Sequence, residues 1–84
     1  MKGADELYGE MLLEIGQPKP AMNWFQKALT RTPNRSRALL GLARAYRDAG
    51  DRVNASATYK KFLANYRLAD PGLPEIAEAR KNVR

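Results

Sequence analysis

The sequence predicts an all-α protein made of two helical hairpins followed by a fifth helix. Three observations carry this. Gly and Pro clusters break the 84-residue chain at four places. The segments between the breaks repeat apolar residues three and four positions apart, the spacing of one helix face. No segment alternates with period two, so no strand is expected.

The breaks are Gly16-Gln17-Pro18-Lys19-Pro20, Thr32-Pro33-Asn34, Gly50-Asp51 and Asp70-Pro71-Gly72-Leu73-Pro74, all turn-forming combinations. The first helix is predicted from about Ala4 to Ile15, with a core stripe of Tyr8, Met11, Leu12 and Ile15. Asp5 and Glu6 suit the positive pole at its start. The second runs from about Pro20, where the missing N–H costs nothing, to Arg31. Its stripe is Ala21, Trp24, Phe25, Ala28 and Leu29, and that spacing assigns Trp24 to the core. The third spans about Ser36 to Ala49, with Leu39, Leu42, Ala43 and Tyr46 inward. Asn34 or Ser36 is its candidate cap, and Gly50 its left-handed stop. The fourth spans about Val53 to Tyr66, with Ala55, Tyr59, Phe62, Leu63 and Tyr66 inward. The fifth runs from about Pro74 to Val83, with Ile76, Ala79 and Val83 inward.

The first two pairs of segments match at an offset of 34. Gly9 aligns with Ala43, Leu12 with Tyr46, Gly16 with Gly50, Gln17 with Asp51, Ala21 with Ala55 and Phe25 with Tyr59. Small residues permit close helix approach, an aromatic fills the gap, and glycine makes the turn. In these marks the chain resembles the tetratricopeptide repeat family, whose unit is a 34-residue hairpin. Repeat 1 covers about residues 2–35 and carries Ala28 and Pro33 in register. Repeat 2 covers about 36–69 and departs after Tyr59, with Phe62 and Arg67 in those places. Its last helix is therefore expected to run longer before Asp70. Residues from about 73 to 84 look like the capping helix that often follows the last repeat. The resemblance implies a right-handed α-solenoid, in a single domain over 1–84. Stacked hairpins bury together what one cannot bury by itself. Two units are few for this architecture, which leads us to expect a homodimer or a place within a larger parent protein.

Composition narrows the function. The chain has no Cys and no His, which removes thiol chemistry, disulfides and the commonest general base and transition-metal ligand. Ser36, Ser56, Thr30, Thr32 and Thr58 have no histidine partner, and no Gly-rich phosphate loop follows a strand. Glu6, Glu10 and Glu14 stand four apart, a row read as a solvated face rather than a metal or acid–base site. The expectation is a non-enzyme without cofactor or metal. No stretch reaches the ~20 apolar residues of a membrane span, and the absence of an apolar leader at the start favours the cytoplasm.

The net charge of +6 lies wholly in residues 35–84, while residues 1–34 balance. Nucleic-acid binding is a weaker expectation on that ground, because the aromatic residues fall on core faces and leave little for base stacking. The resemblance implies instead that the first helix of each repeat lines a concave groove that takes a protein or peptide. The residues opposite the expected core stripes are the candidates: Arg37, Leu40, Arg44 and Arg47, with Gly41 and Asp48, on the third helix; Glu6, Glu10 and Leu13, with Gly3, Leu7 and Glu14, on the first. Three arginines beside Leu40 suit an acidic segment or a carboxylate. The competing expectation is that Glu10 and Arg44 lie level and neutralise each other. Glu6 and Glu10 argue against the Lys/Asn carboxylate grip of the family's chaperone-binding members.

Overall fold

The computed structural model describes residues 4–65 and 73–83. These form five helices: α1 (Ala4–Glu14), α2 (Pro18–Arg31), α3 (Ser36–Asp48), α4 (Arg52–Ala64) and α5 (Pro74–Asn82). No strand occurs among the described residues, and none of their helices is long and apolar enough to cross a membrane. The helices pack mainly on their chain neighbours: α1 on α2, α2 on α3, α3 on α4 and α4 on α5, with α1 also touching α3.

The two hairpin turns share one backbone device. Gly16 and Gly50 take positive φ (78° and 86°), which only glycine adopts without strain. The Gly16 and Gln17 N–H groups donate to the Leu13 and Leu12 carbonyls at 3.1 and 2.8 Å. The Gly50 and Asp51 N–H groups donate to Arg47 and Tyr46 at 3.0 and 2.9 Å. At each turn this pair of hydrogen bonds satisfies carbonyls in the last turn of the helix, α1 or α3. Pro18, not Pro20, opens α2. Asp51 caps α4 by accepting from the Asn54 N–H at 3.2 Å. Neither Asn34 nor Ser36 caps α3: Arg35 holds that position without a side-chain capping bond, Asn34 turns the chain at φ 65°, and Ser36 is already helical. α4 ends at Ala64 with Asn65 as its C-cap. Asn65 Nδ2 then donates to the Asn34 carbonyl (2.8 Å) and to Ser36 Oγ (3.0 Å), tying the end of the second hairpin to the start of α3. The expected extension of α4 to Tyr66 and beyond falls outside the described residues.

Two apolar clusters meet on α3. Ala21, Phe25, Leu42 and Ala45 form one; Leu39, Leu40, Ala43, Ala55, Tyr59, Phe62 and Ala79 form the other. Phe25 and Tyr59 are both fully buried. Phe25 lies between two glycines. A Cβ on Gly9 would stand 2.7 Å from its ring, and one on Gly41 would overlap it outright. This close approach turns α1 so that Gly9 faces inward, with Leu12 and Leu13 partly buried beside it.

The expected α1 stripe is therefore corrected. Tyr8, Met11 and Ile15 are about half exposed or more, and Asp5, Glu6 and Gly9 are the buried residues of this helix. Trp24 is also shifted from the core: it is half-buried and stacks on Tyr8 at 5.0 Å between ring centroids, with Lys27 Nζ 4.5 Å above it.

Candidate functional site

α3 is buried on almost every side, and this positions the site. Leu40 and Gly41, expected opposite its core stripe, are buried; they form the floor of a groove of about 300 Å³ rather than an open face. Glu10 and Leu13 of α1 make one wall. Arg37 and Arg44 of α3 rise from the floor. Phe62 of α4 and Leu73, Glu75 and Ile76 of the α5 end make the opposite wall. Five of the seven candidate residues thus meet in one groove: Glu10, Leu13, Arg37, Leu40 and Arg44.

The other two lie elsewhere. Glu6 is only 2% exposed, and its carboxylate accepts from Arg35 Nε at 2.8 Å. Arg47 faces a separate cleft with Arg52, Ala55, Lys81 and Asn82. The Glu6/Glu10/Glu14 row is accordingly not one solvated face: Glu6 is inside, Glu10 half-buried and Glu14 exposed. Among the described residues no cluster of three or more carboxylates is placed to hold a metal ion.

Charge pairing differs from the level match expected of Glu10 with Arg44. Glu10 instead accepts from Arg37, Nε to Oε2 at 2.8 Å and Nη2 to Oε1 at 3.4 Å. That hydrogen bond holds the Arg37 guanidinium above its ordinary range. Arg44 turns the other way, to Glu78 on α5. Its Nη2 lies 2.7 Å from Oε1 and its Nε 2.9 Å from Oε2, a bidentate grip. The same carboxylate accepts from the Tyr59 hydroxyl at 2.7 Å and from Arg47 Nη1 at 3.2 Å. Burial works to raise the Glu78 carboxyl, but the bonds from Arg44 and Tyr59 and the charges of Arg44 and Arg47 outweigh it and hold it below the usual range. Burial, followed by the bond to Glu78, pushes the Tyr59 hydroxyl far up, so it stays a donor.

Glu78 was not singled out from sequence. It stands 34 residues after Arg44, as Glu10 stands 34 before it. The period thus offered two carboxylates for one arginine, and only the seating of α5 selects between them. α5 reaches that seat because Ile76 and Ala79 bury against the second hairpin.

Compared with family models, curated proteins and solved structures, the chain matches none.

Proposed function

We propose that this chain is a protein-interaction module of the tetratricopeptide type, a right-handed solenoid of two hairpins and a cap, without catalytic activity. It takes a short partner segment in the groove between α1, α3 and α5. The groove's make-up carries the reading. Its surface is apolar where Leu13, Leu40, Phe62 and Ile76 line it, and a half-exposed arginine, Arg37, stands at its rim. That combination favours an extended segment with an apolar anchor and a carboxylate close by, which competes with Glu10 for Arg37. An exposed pair of this kind contributes only ~0–1 kcal/mol, so a partner carboxylate displaces it at little cost. The two matching glycine turns 34 residues apart, and the two buried aromatics Phe25 and Tyr59, support the family reading.

Nucleic-acid binding is disfavoured. Arg35, Arg37, Arg44 and Arg47, the basic residues of the α3 region, each face a carboxylate within 3.2 Å.

Selection of a random peptide library on the immobilised protein tests the proposal. Enriched peptides should share an apolar residue near an acidic one. Arg37→Ala and Leu13→Asp should each weaken their capture by roughly tenfold with the helical signal intact. Arg44 and Arg47 are unsuited to this test, because they also hold α5. Failure to enrich any peptide, or undiminished capture by both variants, defeats the groove assignment.

A further inference from the structure

α1 carries apolar residues on two opposite faces. At about 100° per residue, Leu7, Tyr8, Met11 and Ile15 fall in one stripe roughly 100° wide, facing away from Gly9, Leu12 and Leu13. Their exposures are 52%, 49%, 49% and 65%. Among the described residues, four of the six exposed large apolar side chains lie on this one stripe; the others, Val53 and Leu73, are isolated. A helix apolar on both faces belongs between two layers, and here one layer is missing.

The molecule shows what covers such a face when it is complete. Leu7, Tyr8 and Met11 align, 34 residues on, with Gly41, Leu42 and Ala45 of α3. All three are buried, and the cluster over them is built on Ala21 and Phe25 of α2. The cover is thus a helix. A second copy cannot supply it in the same mode, because the packing faces of α2 and α4 are already taken by α3 and α5. What a second copy does present is the same stripe.

We propose that the chain pairs with a second copy of itself through this stripe, the two α1 helices lying antiparallel about a two-fold axis. Such an interface is isologous, so one self-complementary helix face suffices. Charge favours the antiparallel sense. α1 ends in Glu14 and has no basic residue in its last turn, so its carboxyl end is doubly negative. Its amino end carries the positive pole, since the first-turn Asp5 and Glu6 are turned inward and matched by Arg31 at 3.7 Å and Arg35 at 2.8 Å. Antiparallel pairing sets each carboxyl end against the other copy's amino end. The area also sets the strength. Four half-exposed side chains make a patch of roughly 400 Å², at the scale where exposed patches mark interaction sites. With the flanking residues this reaches only the low end of specific interfaces. The dimer is therefore weak, with a dissociation constant on the order of 100 µM.

The chain's sole tryptophan, Trp24, is a built-in reporter, since it stacks on Tyr8 at the edge of the stripe. Sedimentation velocity and Trp24 emission are followed over a dilution series of the full chain. The expected result is a concentration-dependent rise in sedimentation coefficient and a blue shift of emission over one common range. Met11→Glu should weaken the association at least about tenfold while leaving the thermal melt of the dilute protein unchanged. A second variant guards against misfolding. The sequence has no cysteine, so Met11→Cys, placed near the two-fold axis, should form a disulfide-linked dimer on mild oxidation. A monomer at every concentration overturns the proposal. So does a dimer that Met11→Glu leaves intact, or a Met11→Cys chain that oxidises no faster than an Ala57→Cys control on the exposed face of α4.

Discussion

Replacing Glu78 with Ala should undock α5 and cost about 2–3 kcal/mol. The figure follows from the contacts the carboxylate makes. It accepts from Arg44 twice, from Arg47 and from the buried Tyr59 hydroxyl. Breaking a fully buried ion pair costs ~3–5 kcal/mol, and an exposed pair is worth ~0–1. This one lies between, because Arg44 and Arg47 are each more than a third exposed and turn to water once released. The Tyr59 hydroxyl cannot: its O–H loses the Glu78 acceptor, and Arg47, a donor, cannot replace it. In a domain of this size the loss lowers Tm by roughly 10–15 °C.

Two assays read the effect. Urea unfolding followed by circular dichroism gives the free energy. Amide exchange shows whether the loss is local, since Ala77–Asn82 should exchange much faster in the variant while α2 and α3 keep most of their protection. Acid provides an independent check. The folded state holds the Glu78 carboxyl below its ordinary value, so its contribution is complete above the usual carboxylate range of about 4.3. It is lost as pH falls through the lower folded value. The stability gap between wild type and Glu78→Ala should stay constant above about pH 5.5 and close on acidification. A variant within about 0.5 kcal/mol of wild type at pH 7, or a gap that persists unchanged in acid, refutes the reasoning.

Other substitutions probe the frame around the groove. Gly41→Ala puts a methyl group into the Phe25 ring and should cost about 1–3 kcal/mol in urea unfolding, even though alanine favours a helix by up to ~1 kcal/mol. Gly50→Ala meets open space but must take φ +86°, so it should cost about 1 kcal/mol with an unchanged m-value. Glu6→Ala removes the buried partner of Arg35 and should cost about 2 kcal/mol, less than the ~3–5 of a fully buried pair because Arg35 can turn outward; a thermal melt measures it.

The helices were legible because glycine and proline punctuate the chain and three-four spacing fills the intervals. The two left-handed turns at Gly16 and Gly50 were legible for the same reason, since few other residues fit there. The inward face of α1 was not. That helix is apolar on both sides, so periodicity names two stripes and cannot rank them. The decision is made by Phe25, which needs Gly9 opposite it. Leu40 was illegible for a similar reason: its position away from Leu39 and Ala43 points to solvent, but a helix packed between α2 and α4 has little outside. The groove's far wall, with Glu78 behind it, depends on where α5 returns, which no local pattern encodes.

The place of Phe25 between Gly9 and Gly41 reaches beyond packing. One ring closes three helices at once, so α1, α2 and α3 gain their order together and none of them is a separable melting unit. The cap has no such clamp: α5 is held by Ile76, Ala79 and the partly buried Val83 beside it, and by one carboxylate. Stepwise loss of structure on gentle heating should thus begin at the carboxyl end and then proceed all at once, giving a shallow early slope before one steep transition.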